Sequence, residues 1–160
     1  MAGFIAKFNP EVAALTKAIL TRMEARYPTA IQLVYDNYNA LAIGFGPTEK
    51  PSQAIFSIAV FPRWASLFFL QGKGLPDPDG ILQGRGNVAR HVRLTSADGL
   101  DEMSVKKLME EAVAKAAIPF APREDPRMII KSISAKQRPR RPVEKAESTP
   151  PVRTQKAKKR

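Results

Sequence analysis

The sequence predicts an α+β domain, a two-layer sandwich in which an antiparallel sheet of about five strands carries two helices on one face. Two amphipathic stripes and the runs between them predict it. Val12, Leu15, Ile19, Met23 and Tyr27 recur every three or four residues, as one buried helix face requires. Val105, Leu108, Met109, Ala112, Val113 and Ala116 repeat that spacing later in the chain. Between them lie β-rich runs joined by connections brief enough for antiparallel neighbours. Each helix has one stripe to bury, and laying both on the same sheet face is the simplest solution.

Taken in order, Asn9-Pro10 reads as an N-cap followed by proline at the first helical position, where its missing N–H costs nothing. Pro28 ends that helix. Strands are predicted at Ile31–Tyr38, Ala40–Phe45, Gln53–Phe61 and Ala65–Gln71, with Asp36-Asn37-Tyr38-Asn39 marking a tight turn. Leu75–Gly86, LPDPDGILQGRG, then packs turn-forming Asp-Pro steps and three glycines into one loop. Val88–Thr95 alternates: Val88, Val92 and Leu94 share one face with Arg90 as the polar intruder, and Ala89, His91, Arg93 and Thr95 share the other. That pattern suits a sheet with one face covered and one face partly wet. The second helix is predicted around Asp101–Ala117, with Asp101 and Glu102 complementing its dipole and Pro119 stopping it.

At 160 residues the chain holds one ordinary core and little more, and its 44% hydrophobic content suits a soluble globular domain. No apolar run approaches the roughly 20 residues of a membrane span. MAGFIAKFNPEV lacks the basic, apolar and small-residue sequence of a secretory signal. Cysteine is absent, which excludes disulfides, thiolate catalysis and thiolate metal sites and fits a reducing, cytoplasmic setting. The formal charge of +11 is uneven. Met1–Arg123 carries 14 Lys and Arg against 11 Asp and Glu, a net of +3, whereas Glu124–Arg160 carries 12 against 4, a net of +8. The domain therefore occupies residues 1–123. Residues 124–160 form a basic tail in which Met128–Ile133 could add a short strand and Ala135 onward, nearly devoid of apolar residues, is expected to be disordered.

VYDNYNALAIGFGPTEK, LFFLQGKGLPDPDGILQGRGNVARHVRL and the closing amphipathic helix together resemble the YdhG-like domains, a family of domains of unknown function. The resemblance covers roughly Val12 to Ile118 and extends towards MIIKSISAKQRPRRP; its most specific pieces are the LPDPDGILQGRG loop and the YDNYN turn. It implies a frataxin-like α/β sandwich, and an iron-chaperone role of the kind proposed for some members. An acidic first helix belongs to that role. Here the helix offers Glu11 and Glu24 against Lys17, Arg22 and Arg26, whereas a hard cation needs converging carboxylate oxygens.

No catalytic triad, metal cluster or cofactor fingerprint stands in the sequence, so a non-enzymatic binding domain is expected, needing no cofactor. Its partner would be a protein or small ligand on the wet sheet face. Arg85, Arg90, His91, Arg93 and Trp64 are the candidates for that contact. The glycines of the Leu75–Gly86 loop could cradle an anion with backbone N–H groups, but a strand follows, not the helix of a P-loop. Read structurally, the same glycines supply positive-φ turns that Asp77 and Asp79 brace. His91, the only histidine, is either a general base with no nucleophile assigned to it or a surface residue without a role. Tyr35, Tyr38, Phe45 and Trp64 line a pocket or fill the core, and Trp64, beside Arg63 and Pro62, belongs at a strand edge. Arg138, Arg140 and Arg141, with Lys156, Lys158, Lys159 and Arg160, could neutralise nucleic-acid phosphates or simply keep the tail soluble. No aromatic residue interleaves with these charges along the chain, so the tail alone offers no base stacking.

Overall fold

The computed structural model describes residues 1–125 and 127–142. A single turn, α1 (Ala2–Ile5), leads into α2 (Pro10–Arg26). Asn9 caps α2 as its sequence predicts: its Oδ1 accepts the Val12 N–H at 2.8 Å, and Pro10 occupies the first turn. β1 (Ile31–Asp36), β2 (Leu41–Gly46), β3 (Phe56–Val60), β4 (Ala65–Phe69) and β5 (Arg90–Leu94) follow as an antiparallel meander. α3 (Met103–Lys115) then crosses the sheet, and β6 (Met128–Ile133) pairs parallel with β1. The strand order is β5-β4-β3-β2-β1-β6. The architecture is thus α+β, with a mostly antiparallel open sheet and helices packed against it.

The sheet has six strands where about five were expected. The sixth is the MIIKSI segment, and it runs parallel because the chain returns along α3 before reaching the bare edge of β1. The strands are also shorter than their sequence runs. Asn37 donates to the Ala40 carbonyl at 3.0 Å, closing the first turn early, and Pro51–Gln53 forms a 3₁₀ turn where a strand start was predicted. The second helix starts late for a comparable reason. Ala97–Asp101 is a 3₁₀ turn, and the Asp101 carboxylate pairs with Arg22 and Arg26 of α2 instead of capping α3.

Both helices cover the same face. Val34, Ile43, Phe45, Ile58, Leu67 and Leu94 point from the strands into one buried cluster with Ile19 and Met23 of α2 and Val105, Leu108 and Met109 of α3. Arg26 ties the two helices together by donating to the Leu100 carbonyl at 2.9 Å and contacting the Met109 sulfur at 3.2 Å. Alternation along the strands leaves the opposite face to smaller and more polar residues.

The start of the tail departs from its composition. Residues 135–142 were expected to be disordered, yet they wrap the end of the sheet: Ser134 N–H donates to the Asp36 carbonyl at 2.9 Å and Arg138 N–H to the Tyr38 carbonyl at 2.9 Å. The anchor is Arg140, 5% exposed, whose guanidinium donates to Asp36 Oδ1 at 2.8 Å and to the Asn37 carbonyl. Lys7 reaches the other Asp36 oxygen at 2.5 Å, and Phe8 lies under the Arg140 guanidinium at 5.7 Å. An ion pair, not apolar burial, orders this stretch. Composition cannot show such a pair, because its acidic partner is 104 residues away.

Candidate binding face

The register of the sheet builds the open face as two rows. One runs Ser132, Tyr35, Ala42, Ala59, Ser66 and Arg93 across the six strands; the other runs Ile129, Leu33, Gly44, Ser57, Phe68 and His91. Small residues form the floor. Larger side chains stand at the β4–β5 side, and the loop carrying Ala54 closes over Gly44 and Gly46 at the other. Tyr35 Oη is buried on this face and meets no hydrogen-bond partner among the described residues; burial raises its pKa.

The turn from β3 to β4 supplies the aromatic end. Phe61 N–H donates to the Trp64 carbonyl at 2.8 Å, so the two residues face each other across the turn and their rings stack at 5.0 Å. Arg93 arrives diagonally from β5, its guanidinium 4.5 Å from the centre of the Trp64 ring. Two residues back along the same strand, His91 stacks on Phe68 at 4.8 Å. Neither His91 nor Arg93 lies under a helix.

The wrapped tail forms the far wall. Arg138, Pro139, Arg141 and Pro142 face Asn39, Phe61, Pro62, Arg63 and Trp64 across a shallow groove of about 700 Å³. Arg138 also lies over the ring of Tyr38, 5.8 Å from its centre, and Tyr38 is 49% exposed. The β1–β2 turn, the β3–β4 turn and the end of β5 share one end of the sheet, so Arg63, Arg93, Arg138 and Arg141 converge there.

Of the residues predicted for this face, the structure brings together Trp64, His91 and Arg93. Arg90 points to the helix side, where it pairs opposite Phe69 and its guanidinium donates to the Gly86 and Ala89 carbonyls at 2.6 and 2.7 Å. It braces the loop. Arg85 is exposed on that loop, at the opposite end of β5 from Arg93. Arg85 and Arg90 therefore do not join His91 and Arg93 on the face. Gly80 (φ +63°) and Gly84 (φ +114°) supply its backbone reversals. Gln83 exchanges two backbone hydrogen bonds with His91 at 2.8 and 2.9 Å, holding Gly84 against the imidazole. Asp77 accepts the Ile81 and Leu82 N–H groups at 3.0 and 2.9 Å, which is the bracing role read from sequence. Replacing Asp77 by Ala should lower stability by about 1–3 kcal/mol, because two N–H groups lose a charged acceptor. Chemical denaturation of the variant against the parent chain measures this, and an unchanged midpoint would assign the loop's shape to its glycines alone.

The three described arginines among the predicted phosphate contacts divide. Arg138 and Arg141 are exposed at the groove, whereas the Arg140 guanidinium is turned inward onto Asp36 and is not free for a phosphate. Lys156, Lys158, Lys159 and Arg160 lie outside the described residues. Glu11 and Glu24 sit at opposite ends of α2, with Glu24 accepting from Gln32 at 2.9 Å. Among the described residues no group of three or more His, Asp or Glu could hold a metal ion. A separate cleft of about 330 Å³ between the end of α3 and Ser52–Ile55 contains none of the predicted site residues. No helix among the described residues is long and apolar enough to cross a membrane.

Compared with protein-family models, curated proteins and solved structures, the chain finds no match. The residues missed from sequence are Arg63 and Phe61 as parts of the face, together with the link between Trp64 and the tail arginines; of the aromatics read as pocket or core, Phe45 is core and Tyr38 is exposed. The one available signal was Pro62-Arg63-Trp64, which marks a turn that exposes its flanking side chains.

Proposed function

We propose that this is a non-enzymatic binding domain that engages a partner or small ligand through the open sheet face, at the end where Trp64 and the arginines meet. One observation carries the reading: the guanidiniums of Arg63, Arg138 and Arg141 and two stacked rings line a groove open to solvent, with Arg93 beside it over the Trp64 ring. Aromatic rings beside arginines are what binding surfaces use most, because the rings bury area at little entropic cost while the guanidiniums orient a ligand. The helix–strands–helix order supports the YdhG-like, frataxin-like resemblance as the domain's family reading. The iron reading draws no support from α2, whose two carboxylates do not converge.

Trp64 is the only tryptophan, so its emission reports on the face directly. Titrating the full chain with inorganic phosphate, a mononucleotide, an acidic peptide and an oligonucleotide should give a saturable change with at least one of them. Arg93→Glu should weaken that response, by about tenfold or more for a charge reversal at a desolvated contact. Flat titrations across the panel would overturn the reading.

A further inference from the structure

We infer that the ligand of this face is a single-stranded nucleic acid. The inference rests on the binding reading above and adds the ligand class. Its first support is the distribution of charge. Arg22, Arg26, Arg123, Arg127 and Arg140 each pair with a carboxylate. Among the described residues no carboxylate pairs with Arg63, Arg93, Arg138 or Arg141, and these four share one end of the sheet. Glu11 is the one acid lining the adjoining cleft. Unpaired guanidiniums gathered in this way suit a ligand bearing several negative charges.

The second support is the placement of the rings. Along the chain the basic tail and the aromatics are separate, which denied the tail any base stacking. Folding removes that objection. Tyr38 with Arg138, Trp64 with Arg93, and Phe68 with His91 are three successive pairs of a ring with a cationic or imidazole partner. They run from the groove along the β4–β5 side of the sheet, where Phe68 and His91 are half-buried and Arg93 is exposed. Arg93 and His91 are two residues apart on one strand, so their pairs are offset by about 7 Å. A ladder of rings with interleaved cations is how sheet faces hold single strands: phosphates meet the charges and unstacked bases meet the rings. A duplex keeps its bases stacked on one another and would use only the charges. An acidic peptide would give the rings no stacking partner.

The test is fluorescence anisotropy of the full chain with labelled oligo(dT) or oligo(U) of about 16 nucleotides, the upper range for one such domain. A duplex of the same length, a free mononucleotide and an acidic peptide serve as comparisons, starting near 50 mM salt. Single strands should bind more tightly than the duplex, with a slope of log affinity against log salt of about −3 for four phosphate contacts. Arg138→Gln, an exposed change, should weaken binding of every sequence and reduce the slope by about 1. Trp64→Leu should weaken it by roughly 5- to 150-fold while Trp64→Phe retains most of it. Equal affinity for duplex and single strand, or no effect of either Arg138→Gln or Trp64→Leu, would overturn the inference. If the mononucleotide or the acidic peptide binds as tightly as the oligomers, the inference is overturned while the binding reading stands. If nothing binds, both fall. A difference between oligo(dT) and oligo(U) would show whether the 2′-hydroxyl is read.

Discussion

Asp36→Ala is expected to destabilise the domain by about 3–5 kcal/mol, the cost of leaving a buried charge without its counter-ion. Asp36 is 1% exposed and the paired Arg140 side chain 3%, so the guanidinium would remain inside without an anion. Its Nε is already buried without a partner, and the Asn37 and Tyr38 carbonyls that would still accept from it carry no compensating charge. Lys7, 40% exposed, can turn to water and should contribute far less. Urea denaturation measures the loss. The pH dependence gives a second readout. Desolvation pushes the Asp36 carboxyl up, but hydrogen bonds from Lys7, Gln137 and Arg140 outweigh it and hold the pKa below its ordinary value. A lowered folded-state pKa means the stabilisation is complete above the unfolded value of about 3.9 and is lost as pH falls through the folded one. The stability gap between the parent chain and Asp36→Asn should therefore be constant near neutrality and shrink in acid below about pH 4. A gap that stays constant into strong acid would show that the ion pair contributes nothing. Binding should weaken in the same variant, because Arg138 and Arg141 stand on either side of Arg140.

Phe56→Ala is expected to cost about 3–5 kcal/mol through the cavity it opens. Phe56 is fully buried, stacked on Tyr27 at 5.2 Å and edge-on to Phe69 at 5.8 Å, while Tyr27 stacks in turn on Phe120 at 5.0 Å. This column joins the end of α2 to the middle of the sheet and to the segment after α3, so three elements lose a shared support at once. Phe56→Leu should cost less, since most of the volume is kept. A spectroscopic readout goes with the denaturation curve. Burial pushes the Tyr27 phenol up to about 12, and opening the column should bring it back towards the ordinary value of about 10. A Phe56→Ala chain with parental stability would mean that the column repacks fully.

The legible parts of the fold are those set by local periodicity and capping. The Asn9-Pro10 start of α2, both apolar stripes and the opposite facing of His91 and Arg93 against Val92 and Leu94 follow from spacing alone, whereas Val88, expected on the covered face, precedes β5 and is exposed. Strand ends were misread because Asn37–Ala40 and Pro51–Gln53 make their own local hydrogen bonds, and those outweigh the β-rich composition around them. The site was legible in fragments. His91 and Arg93 could be placed on one face from parity along the chain, which put Arg90 on the other, and Trp64 at a strand edge from its turn; where the loop carries Arg85 depends on a backbone path that parity does not give. What joins Trp64 to Arg138 and Arg141 is a pairing between β1 and β6 and an ion pair across the chain. No local pattern encodes either.

Synthesis runs from the amino terminus, and that gives the Asp36–Arg140 clasp a place in time. Asp36 is made, and its strand paired with β2, long before Arg140 exists. Until the last stretch emerges, the edge of β1 is bare, the carboxylate has only Lys7 as a counter-ion, and the groove has one wall. The wall formed by residues 138–142 is thus added after the other wall is already in place, and Arg140, which holds it, also neutralises the Asp36 carboxylate. A nascent chain that stops short of Arg140 carries this face with one wall missing.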